Sequence, residues 1–271
     1  TGDMYDYDGW YSVAPWMDKY MENIAEIVLP EGMTRVGDEA FDGCTNSRIE
    51  RLPSTLKSIG SFAFSNVYFM EADMYLPDGL TSLSDHALSY SQGPKNLHLP
   101  ASLTSIGEGA ICSIYYLENY DVDEANPIYK IDGGAVIEKA TDTLIAGTPN
   151  SVIPDYVKAI GPYAFFNERI EEMPIPAGVT SIGSFAFGYT YISNLVIPNS
   201  VKTIGNYTFY GCSKLLNVTI GSGVTQIGNN SFYNSTNILD VSCYANPDTL
   251  TWKFTSNSED RSFKPDKMTK M

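Results

Sequence analysis

Apolar and polar positions follow one another along this chain in a single phrase that recurs eight times. It reads LPEGMTRVGDEAF (29–41), LPSTLKSIGSFAF (52–64), LPDGLTSLSDHAL (76–88) and LPASLTSIGEGAI (99–111), then IPDYVKAIGPYAF (153–165), IPAGVTSIGSFAF (175–187), IPNSVKTIGNYTF (197–209) and IGSGVTQIGNNSF (220–232). Successive copies start 23, 24, 23, 54, 22, 22 and 23 residues apart, and none gains or loses a residue internally. With the Pro position numbered zero, −1 is Leu or Ile, +3 and +6 are apolar, and +11 is Phe except at Leu88 and Ile111. Self-similarity at a fixed period marks a repeat array, in which one unit cannot hide its apolar face and neighbours stack to bury it. Each phrase predicts an inner strand ending at −1, a second short extended piece near +3 to +6, and a helical turn near +8 to +13. Pro at zero has no N–H to give a ladder, so the strand stops there. Gly at +7 (Ser84 in one copy) predicts either a positive φ or a close backbone approach. Ala at +10 (Thr208 and Ser231 in two copies) predicts a tight spot beside the turn.

A period of 22 to 24 residues lies in the leucine-rich-repeat range and suits no other common repeat class as well. The interval of 54 is one period plus about 31 inserted residues. Residues 1–26, rich in Tyr, Trp and Asp, break the repeat and are expected to cap the first coil. The repeats occupy 27–243, with Ile238, Leu239 and Val241 supplying a ninth strand. Residues 244–271 form a closing cap whose polar tail is expected to fray.

The phrase IPxxVxxIGxxAFxxC, carried by IPNSVKTIGNYTFYGC at 197–212 and with Val for Ile by PEGMTRVGDEAFDGC, resembles the BspA-like leucine-rich repeat family. The insertion DVDEANPIYKIDGGAVIEKATDTLIAGTPN (121–150) resembles a β-hairpin insert of that family. CYANPDTLTWKF (243–254) is similar to its closing segment, and GDMYDYDGWYSVAPW (2–16) to the segment before its first coil. The resemblance implies an α/β solenoid, a right-handed superhelix with a parallel β-sheet on the concave face. Short extended and helical turns would form the convex side, with a hairpin insertion mid-chain. It also implies a bacterial surface or secreted protein, with adhesion to host proteins or other cells.

In the strand before each Pro, −1 and −3 are expected to point inward and −2 and −4 to face the concave surface. The −3 residues are Ile27, Glu50, Met74, Leu97, Ser151, Met173, Leu195 and Val218; Glu50 beside Ile49 predicts a bulge or a one-residue slip. The −4 residues are Glu26, Ile49, Asp73, Asn96, Asn150, Glu172, Asn194 and Asn217. Such a row is either a solvated sheet face with amides bonding along it or part of a recognition surface. The densest candidate patch is Arg51, Asp73, Tyr75, Asn96 and His98 on coils two to four, with the insertion walling one side. Tyr and Arg are favoured interface anchors. His86, at +9, is expected to be ordinary surface. Tyr68 with Phe69, Tyr115 with Tyr116, Tyr189 with Tyr191 and Tyr207 with Tyr210 are expected on the convex side or its rim. There they pack coil to coil or meet sugars or proteins.

Composition narrows the function further. Seventeen Lys and Arg against 32 Asp and Glu, a net charge of −15, argue against nucleic acid and against an anionic membrane surface. No apolar run approaches the roughly 20 residues that span a bilayer. The chain starts at Thr1, so any targeting segment lies outside it. Two His leave little room for His-based catalysis or zinc, and GxSxG, HExxH, GxxxxGK[ST] and CxxC are absent. The acids Asp3, Asp6 and Asp8, and Asp121, Asp123 and Glu124, do not match a calcium loop. No catalytic residue, metal or cofactor is therefore assigned. Cys44 and Cys212 share slot +14 several coils apart and cannot bridge, so buried free thiols are expected. The expected role is a monomeric, noncatalytic, extracellular or cell-surface module. It binds a protein through the concave face or the insertion. Glycan binding through Tyr-rich surfaces, or passive spacing of another domain, are the alternatives.

Overall fold

The structure, a computed structural model, describes residues 2–7, 14–16, 23–252 and 268–270. It divides into two compact units, residues 1–131 and 132–271. In each, successive phrases stack as parallel coils whose like residues lie over like.

In the first unit the +5/+6 pieces Met33–Val36, Ser58–Ile59, Ser82–Leu83 and Ser105–Ile106 pair in parallel register. The N-terminal cap joins this row: Gly2–Asp3 pairs with Met33–Val36, and Trp16 stacks on Phe41 with ring centroids 5.5 Å apart. The row before the Pro is broken into two sheets. Glu26–Ile27, Arg48–Ile49 and Tyr68–Phe69 form one; Asp73–Tyr75, Asn96–Leu99 and Asn119–Val122 form the other. The slip expected at Glu50 is present, for Ile49 is fully buried opposite Ile27 while Glu50 is exposed.

In the second unit Ala159–Ile160, Ser181–Ile182, Thr203–Ile204 and Gln226–Ile227 continue the +5/+6 pattern, closed by Thr251–Trp252. Asn194–Ile197, Asn217–Ile220 and Asp240–Cys243 pair in register before the Pro, and Met268–Lys270 adds to the last. Asp240–Cys243 is the expected ninth strand, with Val241 buried, Ile238 buried ahead of it and Leu239 turned to solvent. Coils five and six have no strand before the Pro. In coil six Pro174 removes the N–H at −2. Residues 253–267, most of the expected fraying tail, lie outside the described residues, as do 8–13 and 17–22 of the N-terminal cap.

The insertion is divided between the two units. Its first residues belong to the strand Asn119–Val122, which pairs with Asn96–Leu99. Asn126, 1% exposed, then fixes the chain: its Nδ2 donates to the carbonyls of Pro100 (2.8 Å) and Leu103 (2.9 Å), and its Oδ1 accepts from the N–H of Ile128 and Tyr129. In the second unit Ala135–Glu138 and Thr143–Ala146 form the hairpin, and Thr143–Ala146 pairs in parallel with Ala159–Ile160. Ala135, Val136, Ile137 and Leu144 are completely buried, so the hairpin stands in for a coil.

The core is the set of ladders predicted. Slot +11 is buried in all eight coils, and +3 and +6 in all but Met33 and Ile106. Phe41 stacks on Phe64, and Phe165, Phe187, Phe209 and Phe232 stack in turn with centroids 5.1 to 5.6 Å apart. Each fully buried ring of this kind contributes about 1.5–3 kcal/mol.

The expected helical turn is absent: among the described residues no α-helix forms. Two positions per coil instead have a left-handed backbone, slot +9 (from Glu39, φ 54°, to Asn230, φ 54°) and slot +13 (from Gly43, φ 72°, to Asn234, φ 62°). Backbone donors are divided accordingly. In coil two, Phe62, Phe64 and Asn66 donate to the carbonyls of Asp85, Ala87 and Ser89 in the next coil. Ala63, Ser65 and Val67 donate three residues back within their own turn. A helix would claim all these N–H groups for itself and leave the inter-coil ladder unpaired. Gly at +7 is not where the positive φ falls. It serves close approach: a Cβ on Gly183 or Gly205 would lie 2.5 Å from the backbone nitrogen of Pro162 or Ser184.

Candidate functional site

The sheet Asp73–Tyr75, Asn96–Leu99, Asn119–Val122 brings together four of the five predicted patch residues. Its inward side chains Met74, Leu97, Leu99, Tyr120 and Val122 are buried, so the intervening residues stand outward by strand alternation. At −4, Asn96 Nδ2 donates to Asp73 Oδ1, and Asn119 Nδ2 donates to Asn96 Oδ1 (2.9 Å). At −2, the rings of Tyr75 and His98 stack with centroids 4.0 Å apart and planes 3° from parallel. His98 Nδ1 in turn pairs with Asp121 Oδ2 at 2.9 Å. Lys95 and Glu118 form an ion pair beside them (3.0 Å). Tyr75 is 66% exposed, so the face offers an aromatic, amides and carboxylates on one three-stranded sheet.

Arg51 lies outside the strands of this sheet. It follows Arg48–Ile49, whose ladder partner is Tyr68–Phe69 in the other sheet. Hydrogen bonds from the Ser54 N–H and hydroxyl hold the Glu31 carboxyl below its ordinary value, and the Arg51 charge adds to them. The sequence reading missed Asn119 and Asp121 as members of the face. Asn-Tyr-Asp-Val repeats the polar–apolar alternation of Asn-Leu-His-Leu 23 residues earlier, but no Pro phrase follows to mark it. The amide bonding expected along −4 recurs in the second unit, where Asn217 Nδ2 donates to Asn194 Oδ1 at 2.7 Å.

Other candidates resolve differently. His86 is not ordinary surface: it is half-buried with a left-handed backbone (φ 55°), stacks on Phe62 at 4.7 Å, and desolvation pushes its pKa down. Asp6 pairs with Arg35 and accepts the Asp38 N–H (2.9 Å), and Asp3 accepts from Thr34. Asp123 caps the N–H of Ala125, and Asp8 lies outside the described residues. All four cysteines are free and buried, and burial pushes Cys44 and Cys212 up to about 11. Tyr207 and Tyr210 pack coil to coil, stacking on Phe185 (4.8 Å) and Tyr233 (5.7 Å), and Phe69 is buried. Tyr68, Tyr115, Tyr116, Tyr189 and Tyr191 remain exposed.

The sequence matches the BspA type leucine rich repeat region in six copies, over residues 19–134 and 147–259. Among proteins with curated descriptions, none matches this chain. A leucine-rich repeat protein of Eubacterium ventriosum is 21% identical and superposes with a TM-score of 0.66, covering 97% of this chain and 89% of its own. The pneumococcal vaccine antigen PcpA is 21% identical with a TM-score of 0.57, covering 88% of this chain and 69% of its own. A leucine rich cell surface protein of Faecalibacterium prausnitzii is 18% identical with a TM-score of 0.51, covering 92% and 84%. These structures share the fold. With the family's region matched over most of its length, this chain belongs to the BspA-type leucine-rich repeat family.

Proposed function

We propose that this chain is a noncatalytic binding module of a bacterial cell surface, and that it engages a protein partner through the Asp73–Asn96–Asn119 face. The observation that carries the proposal is the row Tyr75–His98–Asp121. An aromatic anchor two-thirds exposed is held flat by a stacked imidazole, which is itself oriented by a carboxylate. Pre-positioning of this kind lowers the ordering cost of association. Support for a surface role comes from the family and from two structural neighbours, one named as a cell surface protein and one as a vaccine antigen. Carboxylates at Asp73, Glu118 and Asp121, on a chain of net charge −15, suit a partner with a basic patch and an association that weakens with salt.

The test is surface plasmon resonance of the purified chain against a panel of extracellular-matrix proteins. At least one is expected to bind, with Kd raised about tenfold or more by Tyr75→Ala or Asp73→Lys, the magnitude of one lost anchor. Absence of binding across the panel, or binding indifferent to both substitutions, leaves a passive spacer as the better account.

A further inference from the structure

Several described aromatics outside the core, Tyr163, Phe185, Tyr207 and Tyr210 among them, stack on a neighbouring coil, whereas those at slot +15 of coils two and four do not. Slot +15 is an outward position, and in coils two to four it holds Tyr68, Gln92 and Tyr115. Parallel bridges join Tyr68 to Gln92 and Gln92 to Tyr115, so the three side chains leave successive coils in register. With rows 4.7–4.9 Å apart, the two tyrosines start roughly 9.5 Å from each other. They are 40% and 41% exposed, and among the described residues neither stacks on another ring. The Gln92 amide between them makes no side-chain hydrogen bond among the described residues.

The next slot, +16, is inward and apolar in coils two, five and six, where Phe69, Ile170 and Ile192 are each 3% exposed or less, and holds exposed Asn46, Lys214 and Asn237 in coils one, seven and eight. In coil four it is Tyr116, whose backbone turns left-handed (φ 72°) and whose ring is 77% exposed. The other non-glycine residues with positive φ occupy slots +9 or +13, apart from Asp142 in the hairpin. Coil three meets the same need for positive φ at +16 with Gly93 (φ 116°). A side chain with a Cβ costs roughly 1–2 kcal/mol in this conformation. A largely exposed tyrosine thus sits on a strained backbone, the kind of outlier that accompanies binding sites.

We infer that Tyr68, Gln92, Tyr115 and Tyr116 form a binding strip for an extended neutral polysaccharide. The C–H face of a pyranose packs on an aromatic ring. Alternate sugars of an extended β-linked chain recur at a spacing of the same size as that between Tyr68 and Tyr115. A free amide both donates to and accepts from sugar hydroxyls. The net charge of −15 disfavours polyanionic glycans. The strip shares no residue with the Tyr75 face, and its proposal does not rest on the protein partner proposed there.

Affinity electrophoresis of the whole chain in gels containing hydroxyethylcellulose, laminarin, arabinoxylan or galactomannan tests the inference. At least one polymer is expected to retard migration. Tyr116→Gly, which suits the backbone and so preserves the fold, is expected to weaken retardation fivefold or more. Combining it with Tyr115→Ala should abolish retardation while the thermal melt is unchanged or raised. Tyr75→Ala should leave retardation intact. The inference is overturned if no polymer retards the native chain, if retardation survives the double substitution, or if Tyr75→Ala abolishes it equally.

Discussion

Slot +14 illustrates how a single residue acts in a stacked ladder. It holds Cys44, Val67, Ser91, Ile114, Thr190, Cys212 and Ser235, all buried, and in coil five Glu168. Two hydroxyls of this row donate to backbone carbonyls, Thr190 Oγ1 to that of Phe187 (2.8 Å) and Ser235 Oγ to that of Phe209 (2.7 Å), whereas the buried Ser91 Oγ has no hydrogen-bond partner among the described residues. Glu168 is half-buried among such neighbours, and desolvation pushes its carboxyl from an ordinary 4.5 up to about 8. The folded state therefore keeps a proton that the unfolded chain releases. The associated stability is complete below pH 4.5 and is lost as pH rises towards 8. Glu168→Gln should melt with the native protein near pH 4 and exceed it in stability above pH 8, by about 2–3 kcal/mol. Paired thermal melts across that range check the sign. Equal melting at high pH would mean that the carboxylate reaches water.

At the scale of the element, the ladders were legible because their physics is local to the phrase. A one-residue slip would carry an entire apolar set outward, so conserved spacing at −1, +3, +6 and +11 fixes register. The turn was misjudged for a reason that periodicity cannot carry. Slots +7 to +13 satisfy alternate N–H groups in the next coil, a partner some 22 residues away in sequence. The same blindness hid the caps at +8, where Asp38, Asp85 and Asn206 each accept a backbone N–H from the following coil at 2.8 Å. It hid Asn119 and Asp121 too, since a strand without its Pro phrase carries no marker. The left-handed slots make a test of this account. Phe185 (φ 56°) lies between the rings of Tyr163 and Tyr207, 5.0 and 4.8 Å away. Replacing it removes two stacks, but glycine relieves the backbone where alanine does not. Phe185→Ala should therefore be the more destabilising, by about 1 kcal/mol relative to Phe185→Gly, the reverse of the usual order in regular structure. Denaturant midpoints of the two variants decide it.

For the whole molecule, charge sets conditions that no coil sets alone. Thirty-two acids against 17 Lys and Arg repel one another over the surface of both units. Some of that repulsion is already relieved locally, by Arg35 on Asp6 and by Lys95 on Glu118. Much of the remaining excess sits on exposed side chains, where screening reaches it. Added salt should thus stabilise the fold while weakening attachment to a basic partner at the Asp73, Glu118 and Asp121 face. Raising NaCl from about 0.02 M to about 0.5 M shortens the screening length severalfold. Over that range the melting temperature should rise by about 2–5 °C. Protein binding in the resonance assay should weaken by an order of magnitude or more. Retardation by a neutral polysaccharide should hardly change, because stacking and hydroxyl hydrogen bonds carry no net charge. One titration followed by three readouts therefore separates the two surfaces: a common loss of both binding activities with salt would place them on a single electrostatic face.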